Sequence, residues 1–225
     1  LYAIEMCKDT SNPTRGAVIS GDLKSPEFET YISQFKDSAY IKGIRYGFRS
    51  VAEMEDPQLI KNTELLGKHN MSLDFTISPA WLPAIANLIK TCPGTRFLVN
   101  HCGNADPRAF LDPASISGKP NHDANEWIAA MKTVAENKNV VCKISGIIST
   151  TSGYPKTAET LAPGINHCLD IFGPDRVMFA SDWPWCLKSN KLEEWVNILK
   201  EIVKNRPYSE QKKMFHDNAI KFYSI

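Results

Sequence analysis

The chain has 225 residues, 43% hydrophobic and 23% charged, with a formal net charge of +1. That length supports one core and falls just under the usual size of a single α/β barrel, so one domain over residues 1–225 is expected. Scattered Lys and Arg at near-zero net charge give no electrostatic ground for a nucleic-acid partner or an acidic membrane surface. No apolar run approaches the roughly 18 residues needed to span a bilayer, so the chain reads as soluble, with a cytoplasmic location expected.

Short apolar runs rich in β-formers alternate with longer amphipathic stretches, the pattern of repeated βα units on a parallel sheet. The residues 1–8 read as the end of an element. Strands are expected at 16–21 (GAVISG), 41–48 (IKGIRYGF), 72–77 (SLDFTI), 96–101 (RFLVNH), 140–145 (VVCKIS) and 176–181 (RVMFAS). Helices are expected after each of them, at 25–35, 56–69, 79–91, 123–137, 157–172 and 192–205. One more covers 209–223, with Phe215, Ala219, Phe222 and Tyr223 facing inward at helical spacing. The connections 104–123 and 150–157 are long and fall where barrels of this kind place specificity.

A closed parallel barrel needs eight strands, and six are legible. The expected fold is therefore a TIM (β/α)8 barrel with its first two βα units missing from this chain. An open doubly wound sheet also accommodates six alternating units.

Both architectures place active sites at the C-terminal ends of the strands, so the polar residues that end the apolar runs matter most. His101 ends the fourth run, Lys143 and Ser145 end the fifth, Asp182 ends the sixth, and Arg45 and Arg49 lie near the end of the second. Strand-end imidazole and carboxylate, converging on one rim, can ligate a divalent metal or position and deprotonate a water. Taken singly, His101 also reads as a core imidazole and Asp182 as a helix cap. Trp183 and Trp185 flank Asp182 and suit either a pocket wall or the core. His122 and His216 read as surface residues. The six cysteines, Cys7, Cys92, Cys102, Cys142, Cys168 and Cys186, show no pairing framework and read as reduced, buried small hydrophobes, in keeping with a reducing compartment.

The blocks IKGIRYGFR, FLVNHCGNADPRAF, NVVCKISGI, FGPDRVMFASDWPWC and FHDNAIKFY resemble consecutive segments of the "amidohydrolase 2" group of the amidohydrolase superfamily. Within it the chain is most similar to the barrel lactonases of the L-rhamnono-lactonase, 4-sulfomuconolactone-hydrolase and 2-pyrone-4,6-dicarboxylate-lactonase kinds. The resemblance implies opening of a small cyclic ester, with Asp182 as the general base and His101 as metal ligand or carbonyl-polarising group. It also implies substrate contacts from Arg45, Lys143 and Trp183, and a small, anionic substrate. A divalent metal, zinc in the first place, would be held by His101 and Asp182 together with a His-x-His pair expected upstream of Leu1. That pair is absent from the sequence, as deletion of the first strand would require. Related barrels decarboxylate aromatic acids with the same residues, so nonoxidative decarboxylation is the alternative activity, and a noncatalytic barrel remnant is the alternative outside catalysis. Assembly into a homo-oligomer is compatible with the sequence.

Overall fold

Helix and strand alternate along the chain because apolar period and capping signals alternate. In the computed structural model, which describes residues 2–149 and 152–225, α1 (Tyr2–Lys8) precedes β1 (Ala17–Ser20), α2 (Phe28–Ser33), β2 (Ile41–Gly47) and α3 (Pro57–Lys68). There follow β3 (Ser72–Thr76), α4 (Leu82–Thr91), β4 (Arg96–Val99), a one-turn segment α5 (His101–Asn104) and α6 (Ala124–Glu136). The chain continues through β5 (Val140–Ile144), α7 (Ala158–Phe172), β6 (Val177–Phe179), α8 (Leu192–Val203), α9 (Tyr208–Lys212) and α10 (Asn218–Tyr223). The helices begin where side chains replace missing backbone acceptors. Asp56 receives the amides of Gln58 and Leu59 at the start of α3, and Asp123 those of Asn125 and Glu126 at the start of α6. Thr157 and Thr160 form a reciprocal capping box on α7.

The six strands lie side by side in chain order, every neighbouring pair parallel. With right-handed crossovers, a sheet wound always in one direction carries its helices on one face and curls toward a barrel. The doubly wound alternative requires a reversal of strand order, and there is none among the described strands. The packing agrees. One face, with Ile44, Leu73, Phe75, Val99, Cys142 and Ile144, belongs to the main core shared with the helices. Leu98 and Met178 point the other way, into a separate small cluster with Phe222, Val141, Ala219 and Tyr223.

That second cluster shows what the chain's last helix does. Tyr223 donates its hydroxyl to Asp74 on β3, Arg96 donates to the Phe222 carbonyl, and Lys42 Nζ donates to the Ser224 carbonyl at 2.8 Å. Asn218 Nδ2 donates to the carbonyls of Pro174 at 2.8 Å and Val177 at 2.6 Å, fixing α10 against β6. The inward-facing set expected for the tail is thus found, with Phe215 against Phe179 at 5.5 Å between ring centres. The single helix expected over 209–223 is instead α9, a π-turn over Lys213–Asp217, and α10.

The expected strands are one to three residues longer than those observed, chiefly at their C-terminal ends. For β4 the cause is local: Asn100 bonds back to the Phe75 carbonyl through both backbone and side-chain nitrogen, and the chain then enters a left-handed turn. The 104–123 connection is ordered around buried Asp106, whose carboxylate accepts from Arg108 and from the Asn121 amide. His122, expected at the surface, is half-buried. Its Nε2 accepts the Asp106 amide at 2.8 Å and its ring stacks on Trp127. His216 is exposed and pairs with Asp217. Of the 150–157 connection, residues 150 and 151 lie outside the described residues. No helix among the described residues is long and apolar enough to cross a membrane.

Candidate active site

The turn that ends β4 sets the first catalytic candidate. His101, Cys102, Gly103 and Asn104 have φ of 55°, 52°, 63° and 54°, so the backbone bends left-handed immediately after the strand. Only glycine takes such a conformation without cost, and at Gly103 there is a second demand, since a Cβ there would meet Met131 Sδ at 2.7 Å. The turn swings the His101 ring over the end of β5. There its Nδ1 lies 3.0 Å from Ser145 Oγ. Gly146, at φ 64°, is directly beneath the ring, and a Cβ on it would come within 2.3 Å of His101 Nδ1. A glycine in this place is what lets the imidazole occupy its position.

Asp182 reaches the same rim from the end of β6, also with a left-handed φ of 55°, in a segment whose Trp183–Pro184 peptide is cis. Its carbonyl accepts the Cys186 amide at 3.0 Å, which closes the loop behind the carboxylate. Asp182 Oδ1 stands 3.9 Å from His101 Nε2. Imidazole and carboxylate therefore converge on one cavity, of about 540 Å³, lined also by Arg45, Thr76, Asn104, Trp183 and Trp185. Both tryptophans are largely exposed and wall this opening, so they lie outside the core.

Electrostatics set the protonation states. Burial, and after it the charges of Arg45 and Lys143, pushes the His101 imidazole down to about 4, so it is neutral near pH 7. Burial raises the Asp182 carboxyl above the usual carboxylate range, while Arg45 and Lys143 pull the other way. Neutral imidazole at Nε2 and carboxylate at Oδ1 are the donor types that a divalent zinc-like ion takes, and their separation suits neighbouring positions about a common ion after a shift of roughly half an ångström. They make up half of a usual four-ligand set. His101 and Asp182 thus fit as metal ligands without completing a site.

The other expected contacts divide. Arg45 Nη2 lies 3.4 Å from Thr76 Oγ1 and faces the cavity; it also borders a second cleft of about 610 Å³ with Tyr31, Tyr46 and Arg49. Lys143 does not line the cavity. Its Nζ lies 3.4 Å from Asp74 Oδ2, and it approaches the Tyr223 ring at 5.8 Å. Lys143 stands back from the His101–Asp182 pair, and its charge pulls the pKa of both groups down. Sequence reasoning passed over Asp74, Thr76 and Gly146, and placed Tyr223 inward without its bond to Asp74, because these roles depend on partners far away in the chain. The signal for Gly146 was the glycine directly after a strand-ending Ser145. Asn104, by contrast, stood in the strand-end block and is found in the cavity wall, its Nδ2 tied to the Ile77 carbonyl at 2.8 Å.

Against known proteins, a family model described as "Amidohydrolase" matches residues 1–225. The chain is 26% identical over 166 residues to an L-fucono-1,5-lactonase of Burkholderia ambifaria, covering 72% of this chain and 53% of the relative. It is 22% identical over 229 residues to an L-rhamnono-gamma-lactonase of Scheffersomyces stipitis, covering 90% of this chain and 66% of the relative. The chain thus spans between half and two thirds of these two relatives. Among solved structures, an amidohydrolase from Burkholderia multivorans with bound zinc superposes with a TM-score of 0.86 at 21% identity, over 100% of this chain and 78% of that one.

Proposed function

This chain belongs to the amidohydrolase family, and we propose that it supplies the catalytic face of a hydrolase that opens a small, anionic cyclic ester. The observation that carries this reading is the convergence of Asp182 and neutral His101, 3.9 Å apart, on a cavity walled by two tryptophans and bordered by a guanidinium. The lactonase names of the relatives support the substrate class.

The residues divide the work as follows. As the carboxylate, Asp182 accepts a proton from a water placed between it and the substrate carbonyl. Its raised pKa makes it a stronger base than an exposed carboxylate. The hydrogen bond to Ser145 fixes the His101 ring, and the tautomer chooses its part. With Nδ1–H donating to Ser145 Oγ, Nε2 offers a lone pair to a metal ion; with Ser145 donating, Nε2–H donates to the developing oxyanion. Arg45 binds an anionic group of the substrate, and Trp183 and Trp185 pack against its ring. A divalent ion held by His101 and Asp182 would polarise the ester carbonyl as a Lewis acid. The ring opens to a hydroxy acid, and the proton held by Asp182 returns to the leaving alkoxide.

The test is a panel of aldono- and dicarboxylate lactones with the wild-type chain and Asp182→Asn. Hydrolysis of at least one lactone is expected, with kcat/KM lower by a factor of about 10²–10⁴ in the variant. Equal rates for the two proteins, or no hydrolysis of any lactone alongside carbon dioxide release from hydroxybenzoates, would replace this reading by decarboxylation or by a noncatalytic role.

A further inference from the structure

Behind the catalytic rim, on the helix side of the sheet, three cysteines from three elements meet. Cys102 comes from the left-handed turn after β4, Cys142 from β5 and Cys168 from α7. Cys142 and Lys143, the partner of Asp74, are consecutive in a strand and so point to opposite faces. All three thiols are fully buried and free, and their sulfur atoms lie within 4.8 Å of one another. Cys7, Cys92 and Cys186 are also buried and free, but belong to no such group among the described residues.

We infer that Cys102, Cys142 and Cys168 form a three-thiolate binding site for a soft, thiophilic ion, separate from the His101–Asp182 pair. The geometry is close to what such an ion requires. With sulfur about 2.3 Å from a central ion, three sulfurs stand roughly 4 Å apart around a planar ion and roughly 3.5 Å apart around a pyramidal one such as trivalent arsenic. Each sulfur needs to close by less than about an ångström, which a small change in χ1 provides. The cluster contains no carboxylate and no imidazole, so its preference is for ions that favour sulfur over oxygen and nitrogen. Charge ranks those ions. Three thiolates around a divalent ion leave a net negative charge in an apolar core, whereas three around trivalent arsenic leave none, and uncompensated buried charge is expensive. Trivalent arsenic also balances without redox chemistry: arsenous acid exchanges its three hydroxyls for three thiolates, and the three thiol protons leave with them as three waters.

Arsenite is the probe, because it has little affinity for the imidazole and carboxylate of the catalytic rim, so the outcome is independent of the lactonase reading. The full chain is incubated with arsenite, both folded and during refolding to bypass the burial of the site, then desalted and weighed by native mass spectrometry. The expected result is one arsenic per chain with loss of three protons, abolished by Cys168→Ala and by Cys142→Ala but kept in Cys92→Ala. The proton count on wild-type protein needs no variant and stands even if a substitution impairs folding. Loss of two protons only, retention in the Cys168→Ala protein, or no arsenic under either condition would show that the thiols are mere packing groups and overturn the proposal.

Discussion

Replacing Gly146 by alanine tests whether the seating of His101 is the central feature of the site. The new Cβ would lie 2.3 Å from His101 Nδ1 and 2.7 Å from its Cγ. Ordinary contact is about 3.5 Å, so the ring or the turn beneath it must retreat by roughly 1 Å. The backbone at φ 64° adds about 1–2 kcal/mol for a residue with a side chain. Separating Nδ1 from Ser145 leaves a buried nitrogen unpaired, at about 1–3 kcal/mol. Together these predict a loss of about 2–5 kcal/mol in urea unfolding, and a displacement of this size at a catalytic group predicts a fall in kcat/KM of about 10²-fold. Gly173→Ala is the control for backbone strain away from the imidazole, its ψ of 172° lying in a region at least as restricted to glycine. Its φ is 72°, but nothing lies within 4 Å of the added Cβ. It carries the backbone cost, about 1–3 kcal/mol, with unchanged kcat/KM. If Gly146→Ala retained activity within threefold, or if the two variants lost activity equally, steric seating of the imidazole by Gly146 would be refuted.

Other predictions follow from the same charges. The His101 imidazole titrates at about 4 in the folded chain against 6.5 when unfolded, so between those values the unfolded state binds more protons and stability falls as pH falls. In chelator-treated protein this amounts to about 3 kcal/mol, complete near pH 4, and it disappears from the urea-derived stability profile of His101→Gln. Arg45 favours the ionised form of Asp182, so Arg45→Met moves the acid limb of the kcat/KM profile to higher pH and raises KM for anionic lactones more than for neutral ones. Lys143→Met removes the salt-bridge partner of Asp74, which is 2% exposed and keeps the hydroxyls of Ser72 and Tyr223, and destabilises the chain by about 1–3 kcal/mol. Asp74→Asn in the same protein restores much of that loss, and a double-mutant cycle by chemical denaturation measures the coupling.

The sequence by itself determined the order of elements and the rim on which chemistry could occur. Buried parallel strands are written as contiguous apolar runs such as RFLV and VVCKI, and capping residues such as Asp56, Asp123 and Thr157 are local signals, so both are legible without partners. For the same reason His101 and Asp182, which directly follow such runs, stood out as candidates, and their convergence at 3.9 Å agrees with that placement. Tertiary structure alone decided the direction of winding, because strand order is a property of pairing between segments far apart in the chain. It also decided that Lys143 pairs with Asp74 instead of facing the cavity, that the last helix seals the inner face through Tyr223, and that three scattered cysteines share one buried spot. Each of these is a contact across tens of residues, and one side chain's pattern carries no record of which distant group it will meet.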